Sequence, residues 1–167
     1  SSMSNIRRME DTQPEYKLID LQPLVSSLYD SAKIICTKNG KELILQNDIS
    51  VLQLSLDSAF ISQVCNNLIS NAVRYARTLV TISFTLHDNG LLLSVSDDGN
   101  GFDKDSLQKA ANPYFTGESN HSEHFGLGLY ICKLLCEHHN GYLANSEYRQ
   151  RSECICLFQI SHFVDKK

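Results

Sequence analysis

Apolar residues recur along this chain with two periods, and the places where one period gives way to the other mark its elements. Residues 5–15 are polar, end in Asp11-Thr12-Gln13-Pro14-Glu15, and read as a linker. Residues 16–19 resemble a short strand. From Asp20 the spacing lengthens: Leu21, Leu24, Val25, Leu28 and Ala32 share one helical face, and Pro23 lies in the first turn, where its missing N–H does no harm. Asn39-Gly40 closes that helix. Residues 42–46 and 51–56 predict two short strands parted by the turn-prone Asn47-Asp48.

Asp57 and Ser58 are N-cap candidates for a helix to about Ala76, with Phe60, Ile61, Val64, Leu68, Ala72 and Tyr75 facing a core. Val80, Ile82, Phe84 and Leu86 then alternate, and Asn89-Gly90 turns the chain into a second strand at residues 91–96, an antiparallel neighbour. A weak helix follows near residues 105–110. Residues 111–125 show no period; a stretch of that length in a compact domain is usually a functional lid or disordered. From Gly126 a helix carries Leu127, Tyr130, Ile131, Leu134 and Leu135 to a C-cap at Asn140-Gly141. Strands at residues 142–146 and 154–160 close the chain. The sum is an α+β fold: a two-layer sandwich with a mixed sheet of about five strands and about three helices on one face.

At 167 residues the chain fits one domain, and a net charge of −4 gives no basic stripe for nucleic acid. No apolar run approaches the ~18 residues of a membrane span, and no signal peptide opens the chain. Ser1-Ser2-Met3 reads as a cloning remnant. The six cysteines sit inside apolar patterns, which predicts reduced thiols. Cys132, Cys136 and His139 have a spacing open to zinc, but no fourth ligand declares itself and a core face is preferred.

Three stretches carry candidate chemistry. In the helix Gln63-Val64-Cys65-Asn66-Asn67-Leu68-Ile69-Ser70-Asn71-Ala72-Val73-Arg74-Tyr75, the residues Asn67, Asn71 and Arg74 fall at i, i+4 and i+7 on one side. Amide oxygens suit a hard cation such as Mg²⁺, and a guanidinium suits phosphate; a solvated helix face is the plainer reading. Val95-Ser96-Asp97-Asp98-Gly99-Asn100-Gly101 ends a buried strand in two acids and alternate glycines. A carboxylate fixed there is expensive unless hydrogen-bonded, and it suits the N–H edge of a flat ligand. His124-Phe125-Gly126-Leu127-Gly128-Leu129-Tyr130-Ile131 opens a helix with glycines, an arrangement that suits an anion. It is neither a P-loop nor a dinucleotide fingerprint.

In this order and spacing the three stretches resemble the N, G1 and G2 boxes of sensor histidine kinases, over roughly residues 16–160. The chain looks like their catalytic, ATP-binding domain, of the Bergerat fold shared with gyrase, mismatch-repair and heat-shock chaperone ATPases. The resemblance implies that Asn71, with Asn67 beside it, ligates the Mg²⁺ on the nucleotide phosphates. Arg74 would approach the phosphates and Tyr75 the nucleoside. Asp97 would accept the adenine amine, with Gly99 and Gly101 making room. Phe115 matches the aromatic of the F box, and residues 111–125 would form the ATP lid. Gly126, Leu127, Gly128 and Leu129 would complete the nucleotide site, the glycines presenting helix-terminal N–H groups.

Two departures stand out. His124 occupies a position usually held by glycine, and the lid has no Lys or Arg, which leaves His124 and His121 as its candidate cations. Protonated His124 is therefore expected to aid phosphate binding.

The resemblance implies a protein-histidine kinase that moves the ATP γ-phosphate to a histidine on a dimerisation helix, and thence to a response regulator. None of the six His lies in a phosphoacceptor context, so residues 1–15 read as remnant and linker, 16–161 as the catalytic domain and 162–167 as a tail. The fragment is expected to be monomeric, cytoplasmic and unable to autophosphorylate alone; its parent would be homodimeric and of the kind often anchored in the membrane. Rival readings are an ATP-hydrolysing clamp, which would want a Glu where Asn67 and Gln63 stand, an anti-sigma-type serine kinase, and a degenerate nucleotide-sensing docking module.

Overall fold

The computed structural model describes residues 11–87, 90–99, 120–148 and 151–159. In chain order the elements are β1 (Lys17–Asp20), α1 (Leu21–Lys38), β2 (Glu42–Asn47), β3 (Gln53–Leu56), α2 (Ser58–Tyr75), β4 (Leu79–His87), β5 (Gly90–Asp97), α3 (Asn120–His138), β6 (Tyr142–Tyr148) and β7 (Arg151–Gln159). Five strands form one mixed sheet in the order β2-β4-β5-β7-β6, in which β2 and β4 run parallel and the other neighbours antiparallel. Among the described residues three helices pack on one face of it. The expected two-layer sandwich is what the chain forms.

Period-2 alternation sets the inner face. Val80, Ile82 and Phe84 of β4 stand opposite Asp97, Val95 and Leu93 of β5, and all six are buried. That register carries Asp97 onto the helix-covered side at the end of its strand. A parallel β2–β4 pair needs a crossover, and α2 supplies it. Asp57 caps α2, its Oδ1 accepting the N–H groups of Ala59 at 3.0 Å and Phe60 at 3.1 Å. Asp20 precedes α1 without a side-chain cap bond; its carboxylate accepts from Gln53 Nε2 across the β1–β3 pair.

The end of α3 is locked to the start of α2 across long sequence separations. The Asp57 N–H donates to Nε2 of fully buried His139 at 3.0 Å, and the Glu15 N–H donates to Asp57 Oδ2 at 2.8 Å. The rings of Tyr16, Phe60 and Phe158 meet His139 edge-on.

The strands near 42–46 and 51–56 belong to different sheets: β3 pairs with β1, because each is short and the two bring Ile19 opposite Leu54 against the core. Three expectations are corrected. The last two strands are longer than the apolar pattern suggested, since pairing with each other carries them into polar sequence. The helix expected from Gly126 begins at Asn120, in a stretch free of proline, so residues 120–125 belong to α3. Finally, Cys136 and Cys156 are disulfide-bonded, with Cα atoms 6.3 Å apart, because α3 packs its last turns over β7. The αL residue that ends α3 is Asn140, at φ 60°.

Candidate functional site

The candidate residues converge along α2, between the end of β5 and the facing side of α3. Helix α2 is amphipathic: Phe60, Ile61, Val64, Leu68 and Ile69 enter the core. Asn71 is also buried, at 6% exposure, and Asn67 is half-buried beside it one turn earlier. The Nδ2 atoms of both are buried and have no hydrogen-bond partner. An unpartnered buried amide costs about 1–3 kcal/mol. Two on successive turns make a site shaped for a polar guest.

Opposite them stands α3. A Cβ placed on Gly128 would come within 3.7 Å of Asn71 Nδ2, so glycine keeps open the space in front of that amide. Leu129 has no exposed surface and belongs to the core. One residue along a helix turns the side chain by about 100°, which takes Leu129 away from the gap that Gly128 borders.

At the C-terminal end of α2 the chain meets the β5 terminus. Asp97 is 5% exposed, and its Oδ1 accepts the Gly99 N–H at 2.8 Å. A Cβ on Gly99 would lie 2.0 Å from the Tyr75 carbonyl oxygen and 2.8 Å from Asp97 Oδ1. Glycine is thus required where β5 leaves the sheet against α2. Tyr75 is half-buried, and burial raises its phenol above the usual range, with neighbouring Arg74 pulling the other way. Arg74 is exposed on the last turn of α2, where a cation complements the helix dipole.

Beneath the amides lie thiols. Burial pushes Cys65 up to about 12, and burial together with the Asp97 and Glu153 carboxylates pushes Cys154 up to about 12. Burial also drives Cys132, next to Cys154 and Asn67, well above the thiol range. All three stay protonated at neutral pH, so the floor offers no nucleophile.

Asp98 has a role that the sequence reading missed. Alternation on an extended strand points it away from Asp97, toward expected solvent. Instead its Oδ1 accepts the N–H groups of Arg77 at 2.8 Å, Thr78 at 3.0 Å and Leu79 at 3.1 Å, while Oδ2 accepts the Thr78 hydroxyl at 2.8 Å. Its slight burial works upward, but these bonds outweigh it and hold the carboxyl well below the usual carboxylate range. The signal available was a three-residue gap between helix and strand whose amides need acceptors.

The zinc alternative is otherwise engaged: Cys136 is in the disulfide and His139 accepts from Asp57. Among the described residues no cluster of three metal-ligating side chains exists. Gly101 and Phe115 lie outside the described residues, as do the expected helix at 105–110 and the lid residues 111–119. Gly126, Leu127 and His124 fall within α3, whose start at Asn120 puts Gly126 and Gly128 inside the helix rather than at its terminus. The helix-terminal N–H donors expected of those two glycines are therefore not at its end, since an unbroken run of residues precedes them.

Residues 56–161 match a family profile described as histidine kinase-, DNA gyrase B-, and HSP90-like ATPase. Over 137 residues the chain is 34% identical to the sensor protein kinase PilS of Pseudomonas aeruginosa, covering 78% of this chain and 25% of that protein. Among solved structures, the histidine kinase AdeS of Acinetobacter baumannii superposes with a TM-score of 0.75 at 19% identity, over 96% of this chain and 76% of that one. Full-length ShkA, in complex with AMPPNP, gives a TM-score of 0.81 at 18% identity, over 95% of this chain and 34% of that one. The chain spans about a quarter of the length of the curated relatives it matches.

Proposed function

The chain belongs to the histidine kinase-, DNA gyrase B- and HSP90-like ATPase family, and we propose that it is the ATP-binding catalytic domain of a sensor histidine kinase. The observation that carries this reading is the pair of buried, unpartnered amides of Asn67 and Asn71, set in front of Gly128. Their chemistry fits a hard cation, because an Asn side chain can turn its oxygen toward Mg²⁺. Asn71 and Asn67 would hold that ion. When bound, Mg²⁺ supplies charge neutralisation on the nucleotide phosphates.

This chain's own residues supply position. Asp97, fixed by the Gly99 N–H, offers a carboxylate oxygen to the exocyclic amine of adenine, and Gly99 gives the base a wall without a side chain. Tyr75 flanks the nucleoside, and Arg74 approaches the phosphates. Phosphoryl transfer asks chiefly for alignment and charge stabilisation, so these roles suffice without a covalent step on this chain. The γ-phosphate would pass to a histidine of a dimerisation domain and then to a response-regulator aspartate. Hydrolysis by a clamp-type ATPase is the weaker reading: Asn67 and Gln63 carry no carboxylate to orient an attacking water.

Among the described residues no helix is long and apolar enough to cross a membrane. We place the domain in the cytoplasm and its parent, as a homodimer, at the cell membrane. The functional test is calorimetric titration with AMPPNP, with and without Mg²⁺. Wild type is expected to bind, and Mg²⁺ to strengthen binding at least tenfold; Asn71→Ala is expected to lose that gain. An equal Mg²⁺ effect in both proteins would remove the amide pair from the site.

A further inference from the structure

The turn from α2 to β4 is held from both sides by opposite charges. The Lys41 ammonium donates to the Ala76 carbonyl at 2.8 Å and to the Arg77 carbonyl at 2.9 Å. On the other side, Asp98 Oδ1 accepts the Arg77 and Thr78 N–H groups. Two consecutive peptide units therefore each have their oxygen on Lys41 and their N–H on Asp98. Both charges align with the peptide dipoles they grip, and charge-assisted hydrogen bonds are roughly twice as strong as neutral ones.

This turn bears on the candidate adenine site. It follows directly on Tyr75, whose carbonyl oxygen is the atom that Gly99 packs against, too close to admit a Cβ. The Gly99 N–H in turn holds Asp97 Oδ1. A shift of residues 76–78 would move the Tyr75 carbonyl, then Gly99, then the carboxylate. Lys41 comes from the loop before β2 and is half-buried, and its own N–H is fixed on the Cys36 carbonyl at 2.9 Å.

We propose that Lys41 is a positioning residue that, with Asp98 across the turn, sets the place of Asp97 and hence the recognition of the adenine amine. The proposal rests on the nucleotide reading above. Lys41 touches no part of the nucleotide; it acts through the 76–78 turn.

The experiment separates positioning from general support of the fold. Affinities for ATP and for purine riboside triphosphate, which lacks the exocyclic amine, are measured by calorimetry in wild type, Lys41→Met and Lys41→Arg. Thermal melts confirm that each variant is folded, and Lys41→Gln replaces Lys41→Met if the latter is not. Lys41→Met is expected to weaken ATP roughly threefold to tenfold, within the range seen for residues acting through a packed chain. Purine riboside triphosphate should change by less than about twofold, because it has no amine for Asp97 to read. Lys41→Arg, which keeps a donor on the two carbonyls, should restore most of the ATP affinity. Equal losses for both ligands would show a merely structural role and overturn the proposal, as would unchanged ATP affinity. If wild type itself does not prefer ATP over purine riboside triphosphate, the Asp97 assignment fails instead, a distinct outcome that takes this proposal with it.

Discussion

Replacing Asp98 by alanine removes four acceptor contacts at once: three consecutive amides at the start of β4 and the Thr78 hydroxyl. These are not worth four full charged hydrogen bonds, because Arg77 and Thr78 are exposed and water can take their donors. The Leu79 N–H is part-buried and loses its partner, at about 1–3 kcal/mol. The Asp98 N–H also donates to the Leu79 carbonyl at 3.2 Å, so the first rung between β4 and the end of β5 loosens as well. A total near ~2 kcal/mol follows, or about 1 M in urea midpoint for an m-value of ~2 kcal/mol/M.

The pH dependence has a definite sign. The folded carboxyl lies below its unfolded value, so its contribution is complete above the unfolded pKa of ~3.9 and disappears as pH falls through the folded value. Urea melts of wild type and Asp98→Ala should therefore differ by a constant amount from pH 7 to pH 5 and converge in stronger acid. A difference below about 0.5 kcal/mol at pH 7, or one that persists unchanged through the acid range, would refute the reasoning.

Three further outcomes follow from the same contacts. Gly99→Ala must push the Tyr75 carbonyl aside; overpacking against backbone should cost about 1–3 kcal/mol in a thermal melt and weaken nucleotide together with it. His139→Phe keeps the packing against Tyr16 and Phe158 but leaves the buried Asp57 N–H without its acceptor. A loss of about 1–3 kcal/mol is expected, and His139→Gln, which can accept that bond, should lose less. Thiol titration of the denatured, unreduced protein should find four thiols, those of Cys36, Cys65, Cys132 and Cys154; six would contradict the Cys136–Cys156 bond.

Much of this architecture was legible because one face of each element is apolar. Val80, Ile82 and Phe84 alternate so regularly that their register with β5 follows, and with it the burial of Asp97. The helical stripes of α1 and α2 are equally plain, as is the Asp57 cap. What stayed hidden depends on partners far along the chain. Nothing local to Asp98 announces that amides twenty residues earlier need an acceptor. Lys41 looks like any solvated lysine until the end of α2 is brought beside it. His139 could be a core residue or a ligand until Asp57, 82 residues away, donates to it. The two short strands at residues 42–56 carry no local sign of their partners, and only competition between sheets sends β2 to β4 and β3 to β1. Gly126 and Gly128 look like a boundary at the start of α3, although glycine weakens a helix without ending it.

The central claim is that Asp97, buried at the end of β5, reads adenine. Calorimetric titration of wild type, Asp97→Asn and Asp98→Asn with Mg²⁺-AMPPNP tests it most directly. Asp97→Asn should bind at least tenfold more weakly, since a buried acceptor facing the amine is partly exchanged for a donor, while Asp98→Asn should lose several-fold less. Equal losses in the two variants, or no binding by wild type, would contradict the account.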